Sequence, residues 1–144
     1  MKSIKTRALL DTNVFIHAYE IPLSNSNLII NALNQDLFEA IITESTLKEV
    51  YRYFRKHHSK KLADTLRVYM FFTCKTIFSH QLKEHLTKYA SLINEKDLEQ
   101  ATAVRELGIK YLVSYDKHFK DLEEYRTPKQ FVQLLGLRTT PSNY

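Results

Sequence analysis

The sequence predicts an α/β domain of three layers, with helices covering both faces of a mostly parallel sheet of four or five short strands. Three observations predict it. Short apolar runs alternate along the chain with stretches whose apolar residues recur at helical spacing, the pattern of βα units. Two of those runs, 7–10 and 111–113, are followed within three residues by an aspartate, Asp11 and Asp116. No linker, repeat or low-complexity tract divides the 144 residues, so one domain over 1–137 is expected, with a loose tail over 138–144.

The elements follow in order. Residues 7–10, "RALL", read as a buried strand that ends at Asp11, with a helix opening near Asn13. "SNSNLIINALNQD" offers Ser and Asn caps, then Leu28, Ile29, Ala32 and Leu33 on one helical face. "FEAIIT" reads as a second strand. In "TESTLKEVYRYFRKHH", Leu47, Val50, Tyr51 and Phe54 form an amphipathic stripe. A further helix covers 60–72, and "RVYMFFTCKTIF" is ambiguous between helix and strand at its far end. Residues 81–92 read as helical.

The passage "NEKDLEQATAVRELGIKYLVSYD" carries the clearest signals. Asn94 can cap a helix, Asp97 falls in its first turn, and Leu98, Ala101, Val104 and Leu107 form its apolar side. Gly108 supplies the stop, and a strand core follows from Tyr111 to Val113. In "RTPKQFVQLLG", Thr127 is the cap, Pro128 the first helical residue and Gly136 the residue just past the end.

Composition narrows the function. With 44% hydrophobic and 26% charged residues, the chain has the balance of a folded globular protein, not a disordered one. No apolar stretch approaches the roughly 18 residues of a membrane helix, and Asp11 interrupts the only N-terminal run that could serve as a signal, so a cytoplasmic protein is expected. The single cysteine, Cys74, excludes an intrachain disulfide and a cysteine-rich zinc site, and reads as a small core residue. Two glycines, Gly108 and Gly136, are too few for a phosphate-cradling loop. The formal charge of +5 suits a polyanionic partner.

The carboxylates point to chemistry. In a parallel sheet, ligands bind outside the carboxyl ends of the strands, where Asp11 and Asp116 meet if their strands are neighbours. Helix N-termini open at the same edge and bring Asp97 and Glu49 within reach. Four converging carboxylates repel, and a divalent cation such as Mg²⁺ or Mn²⁺, which favours oxygen ligands, relieves that repulsion. Each acid also has a plainer role. Asp11 can cap the helix that follows it, Asp97 can join a capping box with Asn94, and Asp116 can cap the "KHFKDL" turn. Glu49 can pair with Arg52 or Tyr53 on the helix surface, while its rival Glu44 has a sufficient helix-dipole explanation. Taken together, their placement and order favour a site. The six histidines form no zinc pattern, His57 with His58 and His80 with His85 included. The basic run Arg55, Lys56, Lys60 and Lys61, in "RKHHSKK", is a solvated face by default and a nucleic-acid contact on a second reading.

In order and spacing, "LLDTNVFI", "ITESTLKEV" and "KDLEQATAVRELGIKYLVSYDKHF" resemble the PIN-domain nucleases, a family with many prokaryotic toxins of toxin–antitoxin pairs and also RNA-processing enzymes. The resemblance runs from Leu9 to Phe131 and weakens across 58–90. It implies a PIN-like three-layer fold and metal-dependent hydrolysis of RNA, leaving 5′-phosphate and 3′-hydroxyl ends. By this resemblance, Asp11, Glu49, Asp97 and Asp116 are the catalytic acids that hold Mg²⁺ or Mn²⁺, and Asn13 and Ser114 are the polar residues that hold those acids in place. Tyr115 stands where members often have Gly or Arg, and His118 where many have Asp or Asn. Both departures lie at the pocket rim and bear on substrate preference and on a second metal. The implied partners are RNA, single-stranded, and an antitoxin protein, with a homodimer as a candidate assembly and no membrane. A housekeeping RNA-processing nuclease and a non-catalytic RNA-binding or assembly module are the alternatives.

Overall fold

The computed structural model describes residues 5–91, 93–94 and 97–144. Its centre is a five-stranded sheet of β1 (Arg7–Leu10), β2 (Glu39–Thr43), β3 (Cys74–Ile77), β4 (Tyr111–Val113) and β5 (Tyr125–Arg126). The spatial order is β3-β2-β1-β4-β5, and every neighbouring pair is parallel. Arg7 to Leu9 pair with Glu39 to Ile41 on one side of β1, and Ala8 to Leu10 pair with Tyr111 to Val113 on the other.

Alternation along the strands divides the core in two. Ala8, Leu10, Ala40, Ile42, Tyr111 and Val113 pack on one face beneath α1 (Thr12–Glu20), α2 (Asn25–Asn34), α3 (Glu44–His57), α4 (Lys60–Thr73) and α8 (Pro128–Leu134). Leu9, Ile41, Ile77 and Leu112 pack on the other, with α5 (Ser79–Leu82) and α7 (Leu98–Glu106); α6 (Leu86–Tyr89) adds the partly buried Leu86. Burial on both faces explains why the strands read as unbroken apolar runs. The expected three-layer architecture is what forms.

Side-chain caps set the helix starts. Ser24, Thr43 and Ser59 accept from the backbone N–H groups of Asn27, Thr46 and Leu62 at 3.0, 3.1 and 3.1 Å. Thr127 and Gln130 form a reciprocal capping box around Pro128, as the "RTPKQ" pattern implies. Gly108 and Gly136 take φ of +60° and +76°, the left-handed backbone that ends α7 and α8.

Four expectations differ from what forms. The ambiguous end of "RVYMFFTCKTIF" divides between the last turn of α4 and strand β3. The helix expected over 81–92 becomes two single-turn pieces, α5 and α6, with Leu92 outside the described residues. Asp97 is the N-cap of α7, not a first-turn residue, and Asn94 serves it through backbone, its carbonyl accepting from the Asp97 N–H at 2.9 Å. Finally, 138–144 folds back and is fastened to α2. The N–H and Nδ2 of Asn25 both donate to the Tyr144 carbonyl, at 2.7 and 3.1 Å, and Asn25 Oδ1 accepts from the Thr140 N–H at 3.0 Å. No helix among the described residues is long and apolar enough to cross a membrane.

Candidate functional site

The chain leaves β1 toward β2 and β3 on one side and later returns to β4 and β5 on the other, so the connections diverge between β1 and β4. In parallel sheets such a divergence opens a crevice at the carboxyl ends of the strands. Asp11 follows β1 there, and Ser114 and Asp116 follow β4.

Asp11 is buried at the N-terminus of α1. Its Oδ1 accepts from the Thr12 N–H at 2.8 Å, so the capping role is real. Its Oδ2 accepts from the Ser114 hydroxyl at 2.7 Å and, more weakly, from Asn13 Nδ2 at 3.4 Å. Ser114 Oγ in turn accepts from Asn13 Nδ2 at 3.2 Å and from the Asp116 N–H at 2.9 Å. The hydroxyl's donor and both its lone pairs are thus in use, which fixes its orientation. Asn13 Oδ1 accepts from the Tyr115 N–H at 3.2 Å and closes the network. Asn13 and Ser114 therefore tie the end of β1 to the end of β4.

Burial pushes the Asp11 carboxyl above the usual carboxylate range, against the lowering effect of the Ser114 and Thr12 hydrogen bonds; the charges of Glu49 and Asp97 push it further. Asp11 therefore shares a field with Glu49 and Asp97. Glu49 stands exposed one turn into α3, with Oε2 accepting from the Thr12 hydroxyl at 2.6 Å. Its rival Glu44 is engaged elsewhere. It accepts from the Ser79 N–H at 2.9 Å and pairs with Lys48 at 3.3 Å, and the Ser79 hydrogen bond, followed by Lys48, lowers its pKa.

Among the described residues, the group whose donor atoms all lie within 4.8 Å of one another is Asp97, Asp116 and His118. Asp97 is buried, Asp116 half-buried and His118 exposed. His118 Nδ1 stands 3.0 Å from Asp116 Oδ1 and 3.6 Å from Asp97 Oδ2, so a protonated imidazole would offset part of the cluster's charge. Asp11 and Glu49 are not among the three. The residues fit a divalent cation: two carboxylates and an imidazole are within reach of one ion, and Asp11 already registers the repulsion of neighbouring acids.

A profile for the PIN domain matches residues 7–118, which span every residue of the acidic crevice. The chain belongs to the PIN-domain family. The fold agrees with solved PIN-like structures. A chain of a toxin–antitoxin complex from Klebsiella pneumoniae superposes with a TM-score of 0.66 at 17% identity, covering 84% of this chain and 97% of that one. The sarcin–ricin-loop-cleaving toxin VapC20 of Mycobacterium tuberculosis gives 0.61 at 11% identity, with 78% and 92% covered. A chain of VapBC2 from Rickettsia felis, bound to a fragment of its promoter DNA, gives 0.59 at 16% identity, with 85% and 98% covered. No curated protein matches the sequence.

Two features of this PIN crevice were only partly legible. His118 stood out in the sequence as a departure at the rim, and the fold places it against two of the acids. Thr12 carried no signal of its own, yet its hydroxyl orients Glu49. The basic residues Arg55, Lys56, Lys60 and Lys61 are all exposed at the tip of the α3–α4 hairpin, away from the acids. Arg55 lies six residues beyond Glu49 on α3, or about 9 Å along the axis.

Proposed function

We propose that this PIN-domain protein is a divalent-metal-dependent endoribonuclease acting on single-stranded RNA, the toxin of a toxin–antitoxin pair. The observation that carries the reading is the convergence of acids at the carboxyl edge of the sheet. Asp97 and Asp116 lie within reach of one ion, and the Asp11 carboxyl, raised chiefly by burial, is pushed further by Glu49 and Asp97. In this reading Asp97, Asp116 and Asp11 hold Mg²⁺ or Mn²⁺, Glu49 completes the set, and His118 joins at the rim. When bound, the ion would neutralise the phosphate and lower the pKa of a coordinated water. Ser114 and Asn13 hold Asp11, Thr12 orients Glu49, and the buried β1 and β4 ends keep the spacing of the acids fixed.

The toxin setting and the protein antitoxin are supported by the company the fold keeps, a toxin–antitoxin complex, a promoter-bound VapBC2 and a sarcin–ricin-loop-cleaving toxin. Metal-dependent cleavage of a single-stranded RNA tests the reading. Asp11→Ala, Asp97→Ala and Asp116→Ala are each expected to lower Mn²⁺-dependent cleavage by at least about 100-fold, the scale of lost catalytic groups. Glu44→Ala is expected to leave it within a few-fold, because Glu44 is spent on Ser79 and Lys48. Wild-type protein that cuts no RNA with any divalent metal would instead leave a binding module.

A further inference from the structure

A second cleft of about 240 Å³ opens beside the acids. Three tyrosines line it, Tyr115, Tyr125 and Tyr144, and exposed Lys117 and Lys129 belong to its wall. It is smaller than the roughly 300–1,000 Å³ of pockets that enclose drug-sized ligands, and suits a single planar ring system.

Its construction is specific. The Tyr144 ring stacks on His17 at 4.8 Å between centroids and 20° between planes, and His17 Nδ1 donates to the Asn13 carbonyl at 2.8 Å. Tyr115 packs against both rings, at 4.6 Å from His17 and 5.7 Å from Tyr144, and shares a hydrogen bond with the buried Ser26 hydroxyl. Asn25, 1% exposed, spends its N–H and Nδ2 on the Tyr144 carbonyl and so fixes that residue's backbone. Tyr144 nevertheless remains 46% exposed, an aromatic ring held in place with much of its surface open.

Residues of the cleft also adjoin the acids. Tyr115 and Lys117 flank Asp116 in sequence. The Tyr125 hydroxyl is buried, has no hydrogen-bond partner among the described residues, and lies within the field of Asp116 and Asp11. A buried hydroxyl without a partner is costly unless a ligand or water satisfies it.

We propose that this cleft binds one unpaired nucleotide of the RNA strand next to the phosphate held over the acids, with its base stacked on Tyr144 and its own phosphate met by Lys117 and Lys129. Every base has a π-face, so such a stack tolerates sequence but demands a base splayed out of a helix, and the protein selects single-stranded segments or loops over duplex. The identity of the strand rests on the nuclease reading; the stacking site itself does not.

The test uses a single-stranded RNA hexamer carrying 2-aminopurine, titrated in Mg²⁺ into protein silenced by Asp97→Asn. Saturable quenching is expected with the probe base at one position of the hexamer, and Tyr144→Ala should weaken that binding by about 5- to 100-fold and lose the quench. Tyr144→Phe should retain both, and Lys117→Gln should weaken binding while keeping the quench. The same RNA in a duplex, and AMP alone, should each bind at least about ten-fold more weakly than the hexamer. Quenching and affinity unchanged in Tyr144→Ala, with its melting temperature intact, overturn the proposal; so does equal affinity for duplex, and AMP binding as tightly as the hexamer overturns the assignment to a strand. The two readings fail separately. Tyr144-dependent quenching in a protein whose wild type cleaves nothing leaves the stacking site standing without the nuclease, whereas cleavage by a wild type whose RNA binding ignores Tyr144 does the reverse.

Discussion

At Asp11 one carboxylate oxygen caps α1 while the other is held by Ser114 and Asn13, and Glu49 and Asp97 press on the same group. Capping is therefore compatible with the proposed metal-site role of this residue, since the cap fixes the carboxylate's orientation. The electrostatic cost has a sign that can be measured. Burial first, then the neighbouring acids, hold the folded carboxyl above its ordinary 3.8, so the folded state takes up its proton more readily than the unfolded chain does. Above the folded pKa the ionised group lowers stability, and the penalty is relieved as pH falls through that pKa toward 3.8. In EDTA, Asp11→Asn is expected to melt higher than wild type at neutral pH, with the gap narrowing as pH falls toward 3.8. A gap that stays constant with pH would show that Asp11 carries no such penalty. His118 makes a second expectation at this scale. Imidazole favours later transition metals, whereas carboxylate suits Mg²⁺ and Mn²⁺. Calorimetry on His118→Asp should show affinity shifting toward Mg²⁺ and away from Ni²⁺, and an unmoved ratio would place His118 outside the metal's reach.

Among the elements, α3 links the two charged regions of the molecule. Glu49 stands near its start, and Arg55 and Lys56 near its end, where Lys60 and Lys61 open α4. Part of this basic tip is already engaged, since Lys60 pairs with Asp64 at 3.1 Å and Arg55 donates to the Tyr51 hydroxyl at 3.2 Å. If the tip holds RNA, changing all four residues to Gln should flatten the slope of log affinity against log salt by about 1 to 3 units, at roughly 0.7 per phosphate on a single strand. Metal affinity should not follow, because exposed charges beyond a Debye length of about 8–10 Å are largely screened. An unchanged slope would make the tip a solvated surface. The sequence was most legible where an element carried several independent signals. The strand at Tyr111–Val113, the Thr127 cap followed by Pro128 and the stripe through Val50 and Phe54 all formed as read. It was least legible where one residue decides. β5 is only Tyr125–Arg126, too short for any periodicity, and exists because β4 offers it an edge. α5 and α6 are single turns that their own sequence scarcely favours over one longer helix. Asp97 was placed one turn too deep because Asn94 resembles a cap, whereas its carbonyl, not its side chain, meets Asp97. The Tyr144 platform was hidden for another reason: the Asn25 and His17 contacts that fasten it lie more than a hundred residues away in sequence.

The whole molecule has a formal charge of +5, yet it gathers Asp11, Glu49, Asp97 and Asp116 at one sheet edge. That separation fits a polyanion drawn by the general surface charge and met, at the point of reaction, by a cation the protein must first bind. The fold holds the acids together against their repulsion, whereas an unfolded chain lets them separate, so the ion is expected to favour the folded state strongly. With metal at about a hundred times its Kd, mass action contributes about 2.7 kcal/mol, which for a domain of this size corresponds to a rise in Tm of about 5–10 °C. Thermal melts in millimolar Mn²⁺ against EDTA measure it. Asp97→Asn and Asp116→Asn should lose most of the rise, because they remove ligands from the tightest donor group. Glu44→Gln should keep it, since its partners are Ser79 and Lys48. The arrangement of responses tests more than their size. If Mn²⁺ raises Tm equally in wild type and in both Asn variants, the ion binds elsewhere on the molecule, and the crevice between β1 and β4 loses its claim to the chemistry.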